Sequence, residues 1–172
     1  MWIEYWPSLH EALVPPLRAL LLLMVANSAP VLGHKLLGQR LGYPLDGGLR
    51  IFDGRPLFGS SKTLRGIALS LACTAAAAFA LDLSALAGAL IAGLSMLGDL
   101  TSSFVKRRLG IPPSSGVVLL DQVPESLLPL LVFRERLGLA AWDIVGVVLV
   151  FLVLDLLFSR LLYKLHLRDQ TR

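Results

Sequence analysis

A chain of 172 residues that is 55% hydrophobic and only 16% charged, with a mean hydropathy of +0.71, carries apolar runs too long for a water-soluble core and is expected to be an integral membrane protein. Its net charge of +4 would suit a nucleic-acid partner, but the basic residues lie between hydrophobic spans, which argues against one. The lone cysteine, Cys73, excludes a disulfide framework or a Cys-based zinc site within the chain, and no polar segment is long enough to fold apart, so 1–172 is expected to be one membrane-embedded domain.

Met1 to Pro16, with Trp2, Tyr5 and Trp6, has the makings of an interfacial aromatic segment. Glu4 and Glu11 stand where a secretory signal would be positive, so the following run should stay as a membrane helix. That run, Leu13 to Leu32, has Arg18 near its start, able to snorkel, and Asn27-Ser28-Ala29-Pro30 near its end, where proline should kink the helix and free backbone carbonyls. Gly33 to Arg65 is a glycine-rich polar loop that sets Lys35, Arg40, Arg50, Arg55, Lys62 and Arg65 against only Asp46 and Asp53. Such a loop brings backbone N–H groups and cations close to an anion.

Gly66 to Leu97 is too long for one span and is divided by Asp82-Leu83-Ser84, a predicted tight turn between two helices of small residues that favour close packing. The third helix continues through Phe104 into Lys106-Arg107-Arg108. After a Pro112-Pro113-Ser114-Ser115-Gly116 turn, the fourth runs from Val117 to Phe133 with Asp121, Pro124, Glu125 and Pro129, and the fifth from Leu139 to Leu162. The expected fold is therefore all-α and polytopic, with about five transmembrane helices. All of the 16 Lys and Arg except Arg18, Arg134 and Arg136 fall in the loop, the triplet and the tail. With five spans these segments share a side, and the positive-inside rule puts the N-terminus outside and the C-terminus in the cytoplasm.

Chemistry concentrates between Gly98 and Gln122. Ser95, Asp99, Ser102, Ser103 and Lys106 form one polar stripe at helical spacing, which should face the bundle interior or a wet cavity. A bland alternative is a snorkelling helix end with Asp99 paired to Lys106 or a nearby arginine. Asp121 approaches the same layer from the next helix, and acids at membrane depth are costly enough to point to function. Two such carboxylates, with no Cys or clustered His, suit Mg²⁺. The surrounding cations suit a nucleotide or phosphate ester.

Gly54-x4-Gly59-Ser60-Ser61-Lys62-Thr63 approaches a phosphate-binding P-loop, but two residues intervene before Lys62 and no parallel sheet is available to hold it. Lys62, Thr63 and Arg65 nevertheless lead into a helix N-terminus that favours phosphate. Asn27 and Ser28 serve either interhelical hydrogen bonding or contact with a base, sugar or loop. Asp143 and Asp155 are assigned structural roles, and His10, His34 and His166 give no metal spacing.

Gly98-Asp99-Leu100-Thr101-x-Ser103-x-x-Lys106-Arg107 followed by Leu120-Asp121-Gln122 resembles the signature of the CTP-dependent lipid cytidylyltransferases, and most closely the CDP-archaeol synthase family. Asp46-Gly47-Gly48, Asp53-Gly54, Gly59-x-x-Lys62-Thr63-x-Arg65-Gly66 and Asn27-Ser28-x-Pro30 extend the likeness over all but the last helix. The resemblance implies a five-helix membrane enzyme that passes the cytidylyl group of CTP to a phosphate monoester lipid, ether glycerol phosphate or phosphatidic acid, in phospholipid biosynthesis. Asp99 and Asp121 would hold Mg²⁺ and, with Lys106, form the catalytic set. Asn27, Asp46, Asp53, Lys62, Thr63, Arg65, Ser103, Arg107 and Gln122 would bind substrate or support those that do. One position departs: the family's further acid, three residues after the second aspartate, is Pro124 here, which leaves Glu125 as the candidate replacement ligand. The site would face the cytoplasm from the inner membrane, and a homodimer is compatible with this reading. The rival readings are a small transporter with Asp99, Asp121 and Asp155 as an ion relay, and a non-catalytic membrane scaffold.

Overall fold

The computed structural model describes residues 2–38, 40–111 and 118–164, with side chains from 11 to 161 except at 39 and 112–119. The expected Pro112–Gly116 turn, the side chains of Trp2, Tyr5, Trp6 and His10, and the tail beyond Lys164 lie outside the described residues. Among the described residues six helices follow in order: α1 Trp2–Leu37, α2 Leu64–Ala80, α3 Ala85–Arg108, α4 Val118–Val132, α5 Arg134–Leu137 and α6 Ala141–Lys164. No strand forms among the described residues, so the fold is all-α as expected.

The first helix departs from expectation by its length. It runs unbroken through the segment expected to lie along the interface and past Pro30 to Leu37. Pro30 has no N–H to give the carbonyl of Ala26 one turn earlier, and the Ser70 hydroxyl on α2 donates to that carbonyl at 2.8 Å. The acceptor that proline frees is thus satisfied by a neighbour, as a buried backbone group in hydrocarbon must be.

The predicted turn between α2 and α3 is present. Asp82 takes the left-handed conformation, φ 59°, which Asp tolerates better than most residues, and the Ser84 hydroxyl caps α3 by accepting from the Ala87 N–H at 3.1 Å. Small residues then let the backbones meet. A Cβ on Gly88 would sit 2.5 Å from both Ala78 Cβ and the Thr74 carbonyl oxygen, and one on Gly98 would sit 2.4 Å from the Pro124 carbonyl oxygen. The α3–α4 contact is therefore backbone against backbone at the residue that precedes Asp99.

The interior is built mostly of small and branched residues: Ala19, Leu22, Leu23, Ala26, Ala78, Ala92 and Leu130 are buried, while Leu149, Val153, Leu157 and Leu161 of α6 point outward. Size and polarity, rather than hydrophobicity, separate the two faces, as packing among lipid-exposed helices requires. Among the described residues three helical segments, Glu11–Leu37, Ala85–Arg108 and Ala141–Leu161, are long and apolar enough to cross a membrane, and Leu64–Ala80 is a shorter apolar helix. The chain is an all-α membrane protein. Short α5, absent from the sequence-based expectation, ends where Gly138 turns left-handed at φ 69°.

Candidate active site

α1 and α3 end, and α2 and α4 begin, at the same end of the bundle, with the 38–63 loop lying across it. The stripe on α3 faces inward: Ser95, Ser102, Ser103 and Lys106 are buried, and the side chain of Asp99 is 13% exposed. Asn27 on α1 meets this stripe, its amide donating to Ser95 Oγ at 3.2 Å and to the Leu23 carbonyl at 3.1 Å.

Each aspartate holds a lysine. Lys62, at the end of the loop, reaches Asp99 Oδ2 at 2.5 Å. Lys106 turns away from its own helix and lies 2.7 and 2.8 Å from the two carboxylate oxygens of Asp121 on α4. The pairing of Asp99 with Lys106 or a nearby arginine is therefore corrected: the loop lysine takes Asp99, which frees Lys106 to bridge α3 and α4. Asp121 is 2% exposed and Lys106 6%, so neither charge would be tolerable there alone. Arg107 is buried close enough to feel the Asp121 charge.

Asp46 and Asp53 organise the loop. The Asp46 carboxylate accepts from the N–H groups of Gly48, Phe58 and Gly59 at 2.9 to 3.0 Å, drawing the segment after Gly54 back over its start. Burial pushes the Asp46 carboxyl up, but these three N–H donors outweigh it and hold the group below its ordinary value. Asp53 accepts from the Arg55 N–H at 3.0 Å and from the Arg108 guanidinium. Arg108 also donates to the Pro56 carbonyl at 2.6 Å, while Arg55 donates to the carbonyls of Arg107 and Arg108. This reciprocal clasp fixes the loop onto the C-terminus of α3, where cations are favoured and unpaired carbonyls need donors.

Thr63 caps α2, its hydroxyl accepting from the Gly66 N–H at 3.1 Å. Arg65 is buried and reaches back to the carbonyls of Gly38 and Arg40 and to His34. Gln122 faces α6, its amide donating to Asp155. The folded chain thus brings Lys62, Asp99, Lys106, Asp121, Arg107 and Ser103 into the head of the bundle, with Asn27 one layer deeper. Asp46, Asp53, Thr63 and Arg65 bind loop and helix backbone. Sequence reasoning gave no individual role to Arg55 or Arg108, and it gave Asp155 a structural role without its partner, Gln122. The first two sat among many loop and helix-end cations, whereas Asp155 was signalled as an acid within the most apolar helix.

Asp99 and Asp121 are hard oxygen donors of the kind Mg²⁺ takes one or two at a time, completing its shell with water or phosphate. No group of three or more His, Cys, Asp and Glu converges among the described residues. In donor chemistry the two carboxylates fit Mg²⁺, which would leave its remaining positions to water or substrate. Glu125, the candidate third ligand, is buried one turn beyond Asp121, next to the Pro124 backbone that packs on Gly98.

Residues 13–171 match the family model described as CarS-like, CDP-archaeol synthase. A CDP-archaeol synthase of Hyperthermus butylicus is 38% identical over 120 residues, covering 64% of this chain and 68% of that protein. One from Pyrobaculum calidifontis is 32% identical over 151 residues, covering 85% and 90%. A solved structure described as an intramembrane enzyme for archaeal membrane lipids biosynthesis superposes with a TM-score of 0.69 at 33% identity, covering 81% of this chain and 89% of that one.

Proposed function

We propose the following reaction for this chain, which belongs to the CDP-archaeol synthase family: transfer of the cytidylyl group of CTP to the phosphate of a membrane-embedded ether lipid, giving a CDP-lipid and pyrophosphate. Membership makes it a lipid cytidylyltransferase, and the names of its relatives favour a diether glycerol phosphate over phosphatidic acid. One observation carries the assignment to particular residues. Two carboxylates on adjacent helices each hold a lysine at the head of the bundle, in the arrangement that a polyphosphate and its cation would exchange into.

An oxygen of the lipid phosphate forms a bond to the α-phosphorus of CTP, and the α–β anhydride bond breaks to release pyrophosphate. Such a reaction asks little covalent chemistry of the protein, mainly in-line positioning and neutralisation of charge. Asp99 and Asp121 are the residues that would hold Mg²⁺, whose contribution when bound is to offset the charge on the triphosphate. Lys62 and Lys106 keep the carboxylates neutralised before substrate arrives and donate to phosphate oxygens afterwards. Arg107 and Ser103 line the same layer, and Asn27 lies beneath it. Asp46, Asp53, Thr63 and Arg65 support substrate binding by fixing the loop that delivers Lys62. Gln122 does so by fixing α4 to α6.

The reading includes five membrane crossings, by α1, α2, α3, α4 and α6, with the site on the cytoplasmic side. At 1.5 Å per residue, the 17 residues of α2 extend about 26 Å, near the thickness of the hydrocarbon. The test is incubation of the purified protein with labelled CTP, Mg²⁺ and either a diether glycerol phosphate or phosphatidic acid, beside Asp99→Asn and Asp121→Asn. CDP-lipid formed by the parent and lost in both variants is expected; a folded parent that makes no product from either lipid refutes the reaction.

A further inference from the structure

Among the described residues, Lys35 is a basic residue at the loop end of the bundle whose charge the fold neither pairs nor releases to water. It sits in the last turn of α1. Its side chain is half-buried, and its Nζ is shielded from solvent and has no hydrogen-bond partner. A cation that merely complements a helix C-terminus does so from water, at little cost. One withdrawn from water without a counter-charge is costly, and is retained where something else supplies the charge.

Register shows at what level of the bundle Lys35 stands. α1 and α3 each pack on α2, which runs between them in the chain and is joined to α3 by a tight turn, so α1 and α3 run the same way. The Asn27–Ser95 hydrogen bond fixes their alignment. Lys35 follows Asn27 by the same eight residues that separate Ser103 from Ser95, about 12 Å along the axis toward the loop. It therefore stands level with Ser103, between Asp99 and Lys106. Eight residues also rotate it about 80° from the Asn27 face, away from the side of α1 that carries Ala26 and Gly33 against α2. α6 packs on α1 and also on α4, which carries Asp121.

We infer that Lys35 is a phosphate-binding residue of this same site, its shielded ammonium meeting an anionic oxygen of a bound phosphate substrate. The inference rests on the cytidylyl-transfer reading for the identity of that substrate, which is either the triphosphate or the lipid phosphate. The flexible four-carbon stem lets the nitrogen move to either.

The test compares the parent with Lys35→Gln and Lys35→Arg in detergent, by calorimetric titration with CTP and with inorganic pyrophosphate, by KM for the diether glycerol phosphate, and by thermal unfolding. Lys35→Gln is expected to weaken one of the two substrates by about tenfold or more. Weaker CTP and pyrophosphate binding assigns Lys35 to the nucleotide, and a raised lipid KM alone assigns it to the lipid. Lys35→Arg should recover most of the loss. Because Lys35 has no partner inside the protein, Lys35→Gln should unfold at the same temperature as the parent or higher. Unchanged affinities and lipid KM in Lys35→Gln, or a loss that tracks a lowered unfolding temperature, overturns the inference. A parent that makes no CDP-lipid removes the cytidylyl-transfer reading, but the pyrophosphate and CTP titrations still decide Lys35. A parent that binds neither removes the inference as well.

Discussion

Asp99 and Asp121 share a chemical type and a layer of the bundle, but differ in what their removal leaves behind. Asp121→Asn strands Lys106, which is 6% exposed, and breaking a buried pair in that way costs about 3–5 kcal/mol. Asp99→Asn strands Lys62, which comes from a loop and keeps a side-chain exposure of 16%, so its ammonium can turn back to water at a cost of about 1–2 kcal/mol. Both variants should lose CDP-lipid synthesis, whereas only Asp121→Asn should be markedly less stable to thermal unfolding in detergent. Equal destabilisation would show that the two lysines are equally confined. Asp46 makes a different prediction, through pH. Its folded pKa lies below the ordinary 3.8, so its stabilisation of the loop is fully present above that value and disappears as pH falls through the lowered one. Exchange protection of the Phe58 and Gly59 amides, corrected for intrinsic rates, should hold from neutral pH down to about pH 4 and collapse below it. In Asp46→Asn it should be weak throughout and lack that step.

Proline 30 and serine 70 show how one element completes another. Ser70→Ala should leave the Ala26 carbonyl buried without a donor, at a cost of about 1–3 kcal/mol. In Pro30→Ala, residue 30 regains an N–H for that carbonyl, so adding Ser70→Ala should then cost little. A double-mutant cycle by thermal unfolding should show this coupling, and additive losses would mean that the Ser70 hydroxyl matters for some other reason. Such a bond has no signature along the chain, and it marks the limit of what was legible there. Helix order, the Asp82–Ser84 turn and the inward stripe on α3 all follow from local periodicity and composition. The aspartates and the basic loop were legible because charge at membrane depth is conspicuous. Partners were not: Lys62 finds Asp99 across 37 residues of chain and Arg108 finds Asp53 across 55, distances set by how Gly88 and Gly98 let the helices close. The unbroken course of α1 through Pro30 was also hidden, because the donor that makes it tolerable lies on α2.

Across the whole molecule, charge and packing divide the bundle into two unlike ends. The end with the loop gathers Lys62, Lys106, Arg107, Arg108, Arg55 and Arg65 in a bonded network. The other end has the Asp82 turn, linked to Arg18 only by a 3.9 Å contact in which the Asp82 side chain is 93% exposed. A membrane that retains cationic loops on its cytoplasmic face would orient such a bundle with the network inside. That orientation also suits a charged nucleotide, which cannot cross hydrocarbon and would meet the site from the cytoplasm. The single native thiol, Cys73, can be replaced by alanine, and a cysteine then placed at Asp82 or at Ser60 in the loop. In intact right-side-out vesicles, a membrane-impermeant maleimide should label the Asp82→Cys protein and reach the Ser60→Cys protein only after permeabilisation. The reverse pattern would put the basic face outside and separate the site from cytoplasmic CTP. Labelling of both positions without permeabilisation would mean that the chain does not cross the membrane an odd number of times between them, which would remove α2 from the set of five crossings.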